Sequence, residues 1–120
     1  MLLEILSSHN NLKDRIFLML TEDELLRDYR YERSNLEEQG DELRRGERSV
    51  NDMVEQASAE INRMLEEIEG DPSEASNFAR YRLNQISQEM NESFESEKKQ
   101  VQNKIEQAEI ELNQQLRRLH

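Results

Sequence analysis

Gly70-Asp71-Pro72-Ser73-Glu74 is the stretch whose reading decides the fold, because a long helical repeat arrives before it and another leaves after it. Gly70 follows the last periodic residue, Ile68, and glycine enters the left-handed conformation that ends helices without a Cβ penalty. Asp71 can cap the next helix by accepting from backbone N–H groups that have no partner inside it. Pro72 suits the first helical position, where its missing N–H costs nothing. Glu74, three residues after Asp71, comes close to a capping box. A proline kink in one unbroken helix is the competing reading, but Gly-Asp-Pro stops a helix more often than it bends one. The expected architecture is all-α: a long antiparallel two-helix coiled-coil hairpin with one or two short N-terminal helices. Its boundaries are an apolar segment at 1–20, a helix over 21–69, a turn at 70–73 and a helix over 73–120.

Outward from the bend, the first long helix carries a heptad. Tyr29, Leu36, Leu43, Val50, Ala57 and Met64 recur every seven residues, with Leu26, Val54, Ile61 and Ile68 in a second column. That is an a/d stripe. From Val50 onward both columns are apolar, whereas earlier the second column reads Arg33, Gly40 and Glu47, so the half next to the bend is expected to be the better packed. Gly40 and Gly46 each cost about 1 kcal/mol against Ala in a helix interior. They read as tolerated weak points of an exposed helix, or else as a hinge or a close backbone contact with a partner. The second long helix repeats at eleven: Leu83, Phe94, Ile105 and Leu116; Met90, Val101 and Leu112; and a third column of Ile86, Glu97, Ala108 and Leu119. Such a spacing is ~3.67 residues per turn. Phe78 and Tyr81 are expected to face Met64, Leu65 and Ile68 across the closed hairpin. Each long helix has about 47 residues, hence roughly 70 Å, and equal lengths suit an antiparallel pair.

Residues 1–20 differ in character. Met1, Leu2, Leu3, Ile5 and Leu6 form one apolar cluster and Leu12 with Ile16–Leu20 another, with a break expected at Ser7-Ser8-His9-Asn10-Asn11. Thr21-Glu22-Asp23-Glu24 reads as a capping box stapled by Leu20 and Leu25, so a new helix should begin there. The first segment is expected to fold back on the open end of the hairpin or to dock into another chain, since so dense an apolar run is unfavourable in water.

Composition sets the function classes. The 120 residues are 34% hydrophobic and 36% charged, with no cysteine and a formal net charge of -11. Low hydrophobic content with regular periodicity suits solvated helices sharing a narrow seam. The acidic balance speaks against nucleic acid and anionic membranes as partners, because neither finds a cationic patch. The best apolar run, Ile16 to Leu20, is far short of the roughly 20 residues that span a membrane. Glu4, Lys13, Asp14 and Arg15 interrupt any secretory signal, so a cytoplasmic location is the default. Carboxylates are many, but they sit among Lys, Arg and Gln on helix surfaces, without the pocket that general acid–base work needs. His9 and His120 lie in unrelated places and support no metal site. No phosphate loop, dinucleotide pattern or nucleophile elbow is present. The reading is of a non-enzyme without cofactor or metal.

Two helices sharing one seam bury little, so a protein partner is expected: a helical client or a second copy, giving a homodimer or a heteromeric complex. The residues expected to form the partner-binding apolar stripe are Leu36, Leu43, Val50, Val54, Ile61, Met90, Phe94, Val101, Ile105, Leu112 and Leu116. Either the chain lends this stripe to a client helix, or it is a structural coiled coil that homo-oligomerises as a spacer or scaffold. The polar lapses at Arg33, Gly40 and Glu47 favour the client reading, because a dedicated homodimer could fill them with Leu or Ile.

Prefoldin subunits are of similar size but carry β-hairpins between their coils, for which Gly70–Ser73 leaves no room. From Leu25 to Leu119 the chain instead resembles the larger class of LXG-associated α-helical proteins of Gram-positive bacteria. The likeness lies in Phe94-Glu95-Ser96-Glu97-Lys98-Lys99-Gln100 running into Lys104-Ile105-Glu106-Gln107, and in the two-helix layout. The resemblance implies a factor that binds the helical N-terminal domain of an LXG toxin and helps target it to the type VII secretion apparatus. Export signals of that family follow Phe-x-x-x-Asp; here Lys98 stands four places after Phe94 and Arg82 four after Phe78. That departure touches the targeting role more than the chaperone-like one.

Overall fold

The computed structural model describes the backbone of residues 2–120 and the side chains of residues 12–120. It is an all-α helical hairpin of two long helices, α1 (Leu2–Glu66) and α2 (Ser73–Leu119). No strand occurs among the described residues.

The bend forms where the sequence places it, with one shift of register. α1 ends at Glu66, three residues before the expected boundary, and tightens through Glu67 N–H to Met64 C=O (3.2 Å) and Ile68 N–H to Leu65 C=O (3.3 Å). Such shorter-range bonds satisfy carbonyls orphaned at a helix end. Gly70 then takes φ +101°, and a Cβ there would meet nothing within 4 Å, so conformation rather than space selects glycine. Asp71 Oδ1 accepts from the Ser73 backbone N–H (3.0 Å) and the Ser73 hydroxyl (2.5 Å). Ser76 N–H donates to the Pro72 carbonyl (2.8 Å), so the first helical bond starts from Pro72. Asp71 therefore caps from one residue further out than expected, through Ser73 instead of a reciprocal pair with Glu74.

The expected break between residues 1–20 and the first long helix does not occur: α1 runs through both Ser7–Asn11 and Thr21. A cap needs non-helical backbone, but Thr21 is helical, and its hydroxyl donates back to the Phe17 carbonyl (2.9 Å). That bond serves a mid-helix threonine as well as a cap would. Leu12, Lys13, Arg15, Leu18, Met19 and Leu20 are strong helix formers, so propensity carries the helix through. The docking expected of the Met1–Leu6 side chains lies outside the described residues.

The chain divides into two units, an end unit of residues 1–37 with 103–120 and a bend unit of 38–102. In the end unit Leu36, Ala108 and Leu112 are buried, and Glu22 pairs with His120 where α2 stops. In the bend unit Val101 and Gly40 are buried, while Val50, Val54, Ile61, Leu65, Ala79 and Leu83 are only half-buried. This reverses the expected gradient of packing. At Gly40 a built Cβ would sit 3.9 Å from Val101 Cγ1. That is ordinary van der Waals contact, so Val101 packs over the α1 backbone with room left for a methyl group. Gly46 likewise lies under Phe94, whose Cε1 would be 3.3 Å from an added Cβ. Gly46 thus makes a close contact with the second helix of its own chain, whereas Gly40, though buried, leaves room for a methyl group and stays a weak point of the helix interior.

Two further expectations are corrected. Phe78 and Tyr81 point outward and are exposed instead of facing Met64 and Ile68, which are exposed as well. In the third α2 column, Ile86 and Glu97 are exposed, and their neighbours Ser87 and Lys98 take the half-buried places. A seam only two helices wide covers a narrow arc of each, and an electrostatic partner draws Lys98 into that arc.

Candidate partner-binding surface

Ten of the eleven stripe residues lie along the line where the two helices face each other. Leu36, Val101 and Leu112 are buried; Leu43, Val50, Val54, Ile61, Phe94, Ile105 and Leu116 are half-buried. Met90 is the exception, exposed at 40%. The stripe is therefore largely occupied within the chain, and only its edges stay open.

Those edges differ in the bend unit. On one flank the contacts between helices are polar. Arg80 Nη2 donates to Asn62 Oδ1 (3.2 Å), and Lys98 Nζ meets Glu47 Oε2 (2.9 Å) and Glu95 Oε1 (2.6 Å). Glu47 Oε2 is sealed from solvent and takes no other hydrogen bond, so Lys98 neutralises an oxygen that would otherwise be stranded. Hydrogen bonding to Glu95, and then to Glu47, holds the Lys98 ammonium above the usual lysine range. An open, shallow groove of Asn84, Ser87, Gln88, Asn91, Glu92 and Glu95 continues this polar side along α2.

The other flank carries four exposed apolar side chains, with Glu97 in the column of Ile86 beside them. Met53 and Met64 are eleven residues apart, hence on one face of α1 at 3.6 residues per turn, and stand to one side of the line through Val50, Val54 and Ile61. On α2, Ile86 and Met90 are four apart and stand to one side of Leu83 and Phe94. In an antiparallel pair the same rotational side of each helix opens onto the same side of the pair. Both sets thus border one flank, opposite the Asn62–Arg80 and Glu47–Lys98 contacts. Met53 is 61% exposed and Met64 57%. Methionine adapts to irregular partner surfaces, and aligned exposed methionines suit a helix-accepting face. Met53 escapes the sequence reading because it sits outside both heptad columns; its eleven-residue spacing from Met64 is the signal that could find it. Periodicity assigns Met64 and Ile86 to the seam, and only packing reveals that they border it.

Beside the end of α2, Asn113, Leu116, Arg117 and His120 line an open concavity of about 470 Å³ with a single apolar side chain. In the end unit Leu25, Asp28, Tyr29, Glu32, Ala108, Glu111, Leu112 and Gln115 line a cleft of about 220 Å³, below the roughly 300–1,000 Å³ of small-molecule sites. Among the described residues no group of three or more His, Asp or Glu could hold a metal ion, and no helix is long and apolar enough to cross a membrane. No protein-family model, no curated protein and no solved structure matches this chain.

Proposed function

We propose that the chain is a helix-binding adaptor that packs a client helix against the Met53–Met64–Ile86–Met90 flank, as a chaperone or targeting factor for a secreted toxin or effector does. The reading is carried by one observation: in the bend unit one flank is bridged by polar contacts and the other presents exposed methionine and isoleucine. A third helix laid on that flank would convert a two-helix seam into a three-helix core, and every half-buried seam residue would gain a second wall. The resemblance to LXG-associated proteins makes the helical N-terminal domain of an LXG toxin the first client to try.

Co-expression with such a domain, followed by size-exclusion chromatography with light scattering, tests the reading. A stoichiometric complex is expected, lost in Met53→Lys/Ile86→Lys. Both positions are exposed, so the free variant should melt within about 0.5 kcal/mol of the parent. A complex indifferent to those substitutions would sink the assignment of the flank.

A further inference from the structure

We propose that the occupant of the Met53–Met64–Ile86–Met90 flank is a cationic amphipathic helix, whose Lys and Arg lie over Glu42 and Glu97. The inference rests on the helix-accepting reading of that flank and adds the chemistry of what it accepts. Glu42, Met53 and Met64 are spaced by eleven, so Glu42 stands in the methionine column of α1. Glu97 stands eleven after Ile86 and extends the isoleucine column of α2 in the same way. In the antiparallel pair Glu47 meets Lys98, and Gly46 lies under Phe94. Glu42 and Glu97 therefore reach one end of the flank, the end away from the bend, one from each helix. Both are exposed, as is Glu89, three residues after Ile86 on the same side of α2.

Charge selects the occupant. The cations bordering the flank are already engaged: Arg45 with Glu38 (3.2 Å), Arg63 with Glu60, and Arg82 with Gln85 Oε1 (3.1 Å). Among the described residues no cation pairs with Glu42, Glu89 or Glu97. An apolar strip edged by unpaired carboxylates on both helices complements an apolar stripe edged by ammonium or guanidinium groups. Long basic side chains suit the place, because their methylene stems lie along methionine while their heads reach the carboxylates. A second copy does not. Residues 38–102 hold 16 Asp and Glu against 8 Lys and Arg, so -8 of the net -11 belongs to this unit. Pairing flank to flank would set like charges together, and an acidic helix meets the same repulsion.

The test is titration calorimetry of the full chain with synthetic peptides of ~18 residues, long enough to hold a helix on a surface. Two peptides share one leucine stripe, edged by Lys in the first and by Glu in the second. A third has the Lys composition with its stripe scrambled. The Lys-edged peptide should bind, the Glu-edged one on the order of tenfold more weakly, and the scrambled one not at all. Raising salt from about 50 to about 500 mM should weaken the Lys complex several-fold. Glu42→Lys/Glu97→Lys should reverse the preference between the first two peptides, with the circular dichroism of the chain unchanged. Met53→Gln/Ile86→Gln, which removes apolar side chains without adding charge, should abolish binding. Equal binding of the Lys-edged and Glu-edged peptides, both lost in Met53→Gln/Ile86→Gln, would overturn the charge rule and leave the helix-accepting flank standing. Binding of the scrambled peptide as tightly as the first, or indifference to Glu42→Lys/Glu97→Lys, would overturn the rule as well. No binding of any peptide, or binding indifferent to Met53→Gln/Ile86→Gln, would sink the flank itself.

Discussion

Single residues set how close the two helices come. Gly40 and Gly46 look alike in the sequence, yet they meet different neighbours. A methyl group at Gly40 falls into ordinary contact with Arg44 (3.5 Å) and Val101 (3.9 Å). Gly40→Ala should therefore raise stability by about 0.5–1 kcal/mol in urea melts, because it removes backbone entropy from the unfolded chain at no steric cost. At Gly46 the Phe94 ring already stands at 3.3 Å, and Gly46→Leu should cost about 1–3 kcal/mol by overpacking. Equal effects of the two substitutions would refute the close approach. Asp71 makes a second prediction. Its hydrogen bonds to the Ser73 hydroxyl and then to the Ser73 N–H hold its carboxyl below the usual carboxylate range. A depressed folded-state pKa means stability present above the ordinary carboxyl range and lost as pH falls through the lowered value. Thermal melts of Asp71→Asn should show a shallower acid decline than the parent, and identical profiles would discount the cap.

At the scale of elements, α2 depends on its partner for nearly all its stability, since most of its inward residues are half-buried and helices of this length gain from packing more than from propensity. Ile61 sits midway along the bend-proximal seam. Ile61→Asp should cost about 2–3 kcal/mol, a large share of a thin core, and lower both helicity and client binding. Unchanged melting would mean that the seam runs elsewhere. The Lys98–Glu47–Glu95 cluster bridges the same two helices with an opposite pH dependence. A raised ammonium pKa gives stability that is complete at neutral pH and is lost as pH rises through the raised value. The parent should weaken at strongly alkaline pH more steeply than Lys98→Met, as followed by circular dichroism.

For the molecule as a whole, two separate apolar surfaces stand exposed, the Met53–Met64–Ile86–Met90 flank of the bend unit and the Leu12–Leu20 face of the end unit. The proposed client helix would pack on the first. They share no residue, so Ile16→Asp should still bind the client, one per chain, while Met53→Lys/Ile86→Lys should not. Light scattering on each variant with and without client reads both outcomes, and loss of binding by Ile16→Asp would move the client to the other surface.

Much of this was legible in the sequence. Gly70-Asp71-Pro72 fixes the bend because glycine alone tolerates φ +101° and proline cannot continue a helix. The heptad and eleven-residue columns locate ten seam residues, because helical periodicity maps sequence spacing onto one face. The capping box at Thr21 misled, since a threonine hydroxyl is satisfied equally by Phe17 C=O within a helix. Which half packs more tightly, and which flank stays apolar, required the tertiary structure. Those properties depend on which residue of α2 stands opposite each residue of α1, and no spacing within one helix encodes its register against another.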